Sequence, residues 1–74
     1  STNYKGKLIE YCHSREIENP IFIIKDITGP DHLKTFEVQV KIGVQTFASG
    51  LGTNKKTAEQ IAAQMALEEM GASI

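Results

Sequence analysis

The sequence predicts an α+β fold, α-β-β-β-α, with two helices packed on one face of a three-stranded antiparallel sheet. Three observations carry this expectation. An apolar period of 3.6 residues opens the chain, a two-residue alternation occupies its middle, and a stretch free of Gly and Pro, rich in Ala and Met, fills its last third. No repeat, low-complexity tract or linker divides the 74 residues, so one domain over 1–74 is expected, with its core at about 3–70.

The first helix is expected over Asn3 to Ser14. Asn3 can cap it, and Tyr4, Leu8, Tyr11 and Cys12 recur on one face. Asn19-Pro20 excludes helix beyond it. Ile21 to Ile27, β-branched and bounded by Pro20 and Gly29-Pro30, reads as a strand buried on one face and partly covered on the other. In Thr35 to Ile42, Phe36, Val38, Val40 and Ile42 alternate with polar residues, giving one core face and one wet face. Gly43-Val44 turns the chain into a short third strand, Gln45 to Ser49, and Gly50-Leu51-Gly52 is expected to break it. Thr53 or Asn54 caps the second helix, Lys55 to Met70, whose stripe is Ala58, Ile61, Ala62, Met65 and Ala66 and whose C-cap is Gly71.

Composition excludes several function classes. With 41% hydrophobic and 23% charged residues, the chain is neither a disordered tail nor a membrane segment. No apolar run approaches the roughly 20 residues of a spanning helix, so no membrane partner is expected. No signal-peptide pattern opens it, and a cytoplasmic setting is expected. A single cysteine, Cys12, forbids an internal disulfide, and two histidines make no zinc pattern.

No constellation supports catalysis. Glu16 with Glu18, and Glu68 with Glu69, read as solvated helix ends. Cys12 and His13 point about 100° apart on a helix and form no nucleophile–base pair. Gly50-Leu51-Gly52 lacks the P-loop pattern. The segment is therefore expected to be non-catalytic, with neither metal nor cofactor of its own.

The net charge of −1 argues, taken alone, against a nucleic-acid partner. The placement of charge argues otherwise. Lys55 and Lys56 occupy the first turn of the second helix, where cations oppose the helix dipole. An anion resting on that helix end, where backbone N–H groups are free, would account for them.

These residues resemble the double-stranded RNA-binding domain family, over nearly the whole chain. Leu8-Ile9-Glu10 is similar to the Leu-x-Glu of its first helix. Pro20-Ile21-Phe22 resembles its Pro-x-Tyr, and Gly29-Pro30-Asp31-His32 its Gly-Pro-x-His loop. Phe36-Glu37-Val38-Gln39-Val40 matches Phe-x-Val-x-Val. Gly50-Leu51-Gly52 and the run Lys55 to Ala63, followed by Ala66-Leu67, resemble the family's most diagnostic segment.

The resemblance implies shape-based recognition of duplex RNA with little sequence specificity. The A-form major groove is too narrow for side chains, whereas the minor groove displays 2′-hydroxyls at every base pair. The first helix, with Lys5, Gly6 and Glu10, would enter one minor groove, Glu10 accepting from a 2′-OH. Gly29, Pro30, Asp31 and His32 would enter the next. Asn54, Lys55 and Lys56 would grip the phosphates between them. Leu8, Tyr4, Phe22, Phe36, Val38, Val40, Ala58, Ala62 and Leu67 are expected to be core.

The chain departs from the family pattern at Gly6, where many members carry Thr, at Ile9, where many carry Gln, and at Glu59, where many carry Lys. The first two weaken the expected minor-groove contact, and Glu59 places a negative charge near the phosphate grip. Glu59 and the Gly-Pro-Asp-His loop make the chain most like the C-terminal domain of a ribonuclease III, an endoribonuclease. Such a parent would cleave duplex RNA with Mg in a separate catalytic domain and leaves room for a homodimer through that parent. The alternative is a protein-interaction or dimerisation module of a Dicer or of an RNA-silencing or RNA-processing adaptor.

Overall fold

A computed structural model describes residues 2–72. The order is α1 (Tyr4–Ser14), β1 (Ile21–Thr28), β2 (Thr35–Ile42), β3 (Gln45–Thr46), β4 (Gly50–Gly52) and α2 (Lys55–Glu69). The expected helix-sheet-helix order is present, with the helices on one side of an antiparallel sheet.

β2 is the centre of the sheet. β1 pairs along one of its edges, from Ile21 opposite Lys41 to Thr28 opposite Thr35. β3 and β4 share the other edge, Thr46 opposite Lys41 and Gly50 opposite Val38. Because period two sends alternate residues to one face, Val38 and Val40 are fully buried and Ile42 nearly so, as the alternation predicts. They meet Leu8 and Cys12 of α1 and Ala58, Ala62, Ala63, Ala66 and Leu67 of α2, with Phe47 closing the core. Burial raises the Cys12 thiol pKa above its usual value, in keeping with a packing role.

The third strand differs from expectation. Gly50-Leu51-Gly52 does not end it but forms its second half, and the interruption lies at Phe47–Ser49. Between the two paired stretches, Gln39 and Val40 of β2 face Phe47, Ala48 and Ser49, one residue more. This is a bulge, and three hydrogen bonds brace it. The Phe47 N–H donates to the Val40 carbonyl at 3.0 Å, and the Gln39 amide donates to the Phe47 carbonyl at 3.2 Å. The Ala48 N–H donates to the Glu69 carboxylate at 2.9 Å. Glu69, expected only as a solvated helix end, thus braces the bulge from α2.

β1 is also less covered than its apolar run suggests. Only Phe22 is half-buried; every other β1 residue is exposed. Ile24 and Ile27 lie opposite Val38 and Phe36, hence on the helix side, yet remain 40% and 46% exposed. The physical reason is placement: α2 packs on β2 and β4 while α1 packs along α2, so neither helix extends over the far half of the β1–β2 hairpin. Lys25 is the extra residue of a second bulge there, between Ile24 and Asp26.

The apolar stripe of α2 sits differently on the helix than expected. Ala58, Glu59, Ala62, Ala63, Ala66 and Leu67 are buried, while Ile61 and Met65 are only partly so. Small residues face the sheet because the sheet presents backbone there. A Cβ on Gly50 would meet the Ala62 N atom and, at 2.7 Å, the Ala58 carbonyl oxygen. One on Gly52 would meet the Ala58 N atom at 2.6 Å.

Both helices end in Schellman motifs. In α2, Gly71 (φ +75°) donates to Glu68 and Ala72 to Leu67. In α1, Glu16 donates to His13 and Ile17 to Cys12, and the left-handed residue is Glu16 itself, at φ +57°. Glu16→Gly should relieve that strain and raise the unfolding free energy by up to about 1 kcal/mol, read as a higher urea midpoint at unchanged m-value. Gly50→Ala should lower it by about 1–3 kcal/mol through overpacking against α2. The neighbouring Leu51→Ala, which alters an exposed side chain, should change it by roughly 0.5 kcal/mol or less.

Candidate nucleic-acid interface

The register and the α1–α2 hydrogen bonds bring the β1–β2 loop and the start of α1 to the N-terminal half of α2. Gly52 pairs with Phe36, at the end of β2 that borders the β1–β2 loop. Thr53 and Asn54 follow directly, so α2 starts beside that loop. The start of α1 lies on the same half of α2, because its first residues bond to Gln60. The N-terminal half of α2 therefore adjoins both the start of α1 and the β1–β2 loop.

The α2 end is built by Asn54. Its backbone is extended (φ −148°, ψ 166°), and its side chain accepts from the Thr57 N–H at 2.8 Å. This fixes Asn54, and not Thr53, as the cap. Helix geometry leaves the N–H groups of Lys55 and Lys56 without intrahelical acceptors. Both lysines are exposed, and the first turn contains no acidic residue. Among the described residues the one ion pair is Lys5–Glu59, so neither lysine is neutralised. Dipole, free N–H groups and two unpaired cations all favour an anion at this point.

The β1–β2 loop is a tight turn. The Leu33 N–H donates to the Pro30 carbonyl at 2.9 Å, which puts Asp31 and His32 at the exposed tip. Gly29 opens it at φ +89°, and a Cβ there would strike the Leu33 carbonyl oxygen. Gly29, Pro30, Asp31 and His32 thus form one exposed corner.

On α1, Glu10 is exposed, and with Asn3, Gly6, Lys7 and Ile9 it lines a shallow depression. Gly6 lines that depression with backbone alone. Its N–H donates to the Asn3 side chain at 3.0 Å, and a Cβ would press on the Asn3 amide at 2.5 Å. Ile9, 41% exposed, gives the surface an apolar patch. A second depression, lined by Thr2, Asn3, Lys56, Thr57 and Gln60, joins the start of α1 to the lysine end of α2.

Lys5 sits apart from the other sequence-predicted residues. Its ammonium is 3.1 Å from the Glu59 carboxylate and 4.9 Å from the centre of the Phe22 ring, engaged with α2 and β1 although its side chain stays partly exposed. Glu59 is buried and does not face outward beside Lys55 and Lys56 as a free negative charge. Gln60 completes the contact: its side-chain oxygen accepts from the Lys5 N–H and its amide donates to Asn3, each at 3.1 Å. Sequence reasoning missed Glu59 and Gln60 in this role. They lie more than 50 positions from their partners, and no local pattern announces such a pairing.

Comparison with known proteins agrees with this fold. The family described as "Double-stranded RNA binding motif" matches residues 4–70. The chain is 40% identical over 68 residues to Ribonuclease 3 of Chlorobaculum tepidum, covering 92% of this chain and 25% of that protein. It is 48% identical over 62 residues to Ribonuclease 3 of Leptospira interrogans, covering 84% and 25%. It therefore spans about a quarter of the length of these relatives. Among solved structures, Arabidopsis HYL1 superposes with a TM-score of 0.82 at 32% identity, over 95% of this chain and 99% of that one. The dsRBD1 of DRB4 gives 0.80 at 31%, over 95% and 97%. With the match running from the first residue of α1 to the cap of α2, the chain belongs to the double-stranded RNA binding motif family.

Proposed function

We propose that this domain binds duplex RNA by shape and serves as the substrate-binding domain of a ribonuclease III. The observation that supports this is that the N-terminal half of α2, which ends in the exposed lysines, adjoins both α1 and the Gly29–His32 corner. A-form RNA presents minor groove, major-groove phosphates and minor groove in succession over about 16 base pairs.

On this reading Glu10 accepts a hydrogen bond from a 2′-hydroxyl, a donor that DNA lacks. The open surface at Gly6 and Ile9 lets a ribose edge approach the α1 backbone without a side-chain hydrogen bond, so this contact is shallow. His32 and the backbone of the turn reach riboses one helical turn away. Lys55, Lys56 and the free N–H groups beside Asn54 hold phosphates across the groove that separates them. No contact reads a base edge, so discrimination is between helix forms and not between sequences.

Similarity to ribonucleases 3 along most of the chain favours this parent over an interaction module of a Dicer or an adaptor. The domain itself positions the duplex and needs no cofactor. Cleavage, with Mg, falls to a separate catalytic domain of the cytoplasmic parent, through which two copies pair.

Lys55→Ala with Lys56→Ala should weaken binding of a duplex of about 16 base pairs without lowering the melting temperature of the protein. The slope of log affinity against log salt should flatten by roughly 0.9 for each phosphate that the variant no longer neutralises. An unchanged slope would contradict the phosphate grip.

A further inference from the structure

Glu59 and Gln60 are consecutive residues of α2, and together they hold both the side chain and the backbone of Lys5. The Glu59 carboxylate takes the ammonium at 3.1 Å, while the Gln60 side chain takes the Lys5 N–H and, through its amide, the Asn3 cap. The same ammonium rests on the Phe22 ring, so one cation joins α1, α2 and β1.

This cluster lies at the margin of the apolar core, which Tyr4 and Phe22 meet only as partly buried side chains. The fully buried side chains of α1 are Leu8 and Cys12, both beyond its first turn. The first turn combines the partial packing of Tyr4 with polar contacts: the Asn3 cap and the two α2 side chains. An ion pair whose lysine side chain is 39% exposed contributes little to stability. What it supplies is a defined geometry, as polar contacts do when they set register between elements.

We propose that Glu59 and Gln60 are positioning residues for duplex recognition. They clamp the first turn of α1 to α2, so that the groove face of α1 and the Lys55–Lys56 helix end meet RNA as one rigid unit. The inference rests on the three-region reading above. It also gives Glu59 a role: the carboxylate standing where many family members carry a lysine is the internal counterion of Lys5. Two contacts on one rigid body gain from high effective concentration, and a pivoting α1 forfeits part of that gain.

The test compares two duplex RNAs at one salt concentration, one of about 16 base pairs and one half as long, which cannot engage all three regions at once. The proteins are wild type, Glu59→Gln and Gln60→Leu, each checked for folding by circular dichroism and thermal melting. Wild type should prefer the long duplex. Each variant should bind the long duplex several-fold more weakly, and the two together about tenfold, while the short one is bound as before. Tighter binding of Glu59→Gln on both lengths would overturn the proposal, since Glu59 would then act only by repelling phosphate. Equal weakening on both lengths, or none, would overturn it as well. Wild type binding both lengths alike would contradict the duplex-spanning reading itself, and the clamp with it.

Discussion

The close approach of the β4 backbone to α2 is the constraint on which the rest of the molecule depends. At Gly50 and Gly52 there is no room for a Cβ, and the facing positions of α2 are Ala58 and Ala62. With no side chains between them, helix and strand meet backbone to backbone, and the helix can be displaced little relative to the sheet. This fixes the start of α2 next to Phe36 and hence next to the β1–β2 loop. The lysine end of the helix is held in place by packing that lies wholly inside the protein.

The same helix organises charge. The net charge of −1 describes the domain poorly, because cations and anions occupy opposite ends of α2, about 20 Å apart along its axis. Glu68 and Glu69 stand at its C-terminus, where a carboxylate has no dipole support. Glu69 is put to use there, accepting from Ala48 and closing the bulge between β3 and β4. Lys5 is matched internally by Glu59. The exposed cations at the anion-favouring helix end are thus Lys55 and Lys56, and recognition of a polyanion rests on where charge lies, while its sum stays near zero. Long-range steering by so small a net charge is weak, which makes local geometry the main source of affinity.

Much of this fold was legible in the sequence because local periodicity and tertiary burial agree in α1 and β2. Asn3, Asn54, Gly71 and the alternation from Phe36 to Ile42 do in the structure what their chemistry predicts. The misreadings occur where a distant element decides. Gly50-Leu51-Gly52 looks like a strand breaker, and is a strand because α2 demands a surface without side chains. Ile21 to Ile27 looks buried, and is open because no helix covers the hairpin end. Of the interface, Asn54 to Lys56 and the Gly29–His32 corner could be read locally, since a cap and a turn are short-range devices. Glu59 and Gln60 could not, because their partners belong to the other helix and only folding brings them together.

Simultaneous engagement of one duplex by three regions, held in fixed order by the α2 contacts, is what the proposed recognition requires. It can be measured by titrating the 15N-labelled protein with a duplex RNA of about 16 base pairs and following amide chemical shifts, beside a DNA duplex of the same sequence. Amides around Gly6–Glu10, Gly29–His32 and Asn54–Lys56 should shift together with one common affinity for RNA. With DNA, only the Asn54–Lys56 region should respond appreciably. Shifts confined to Asn54–Lys56 with both duplexes, or different affinities for the three regions on RNA, would contradict simultaneous engagement.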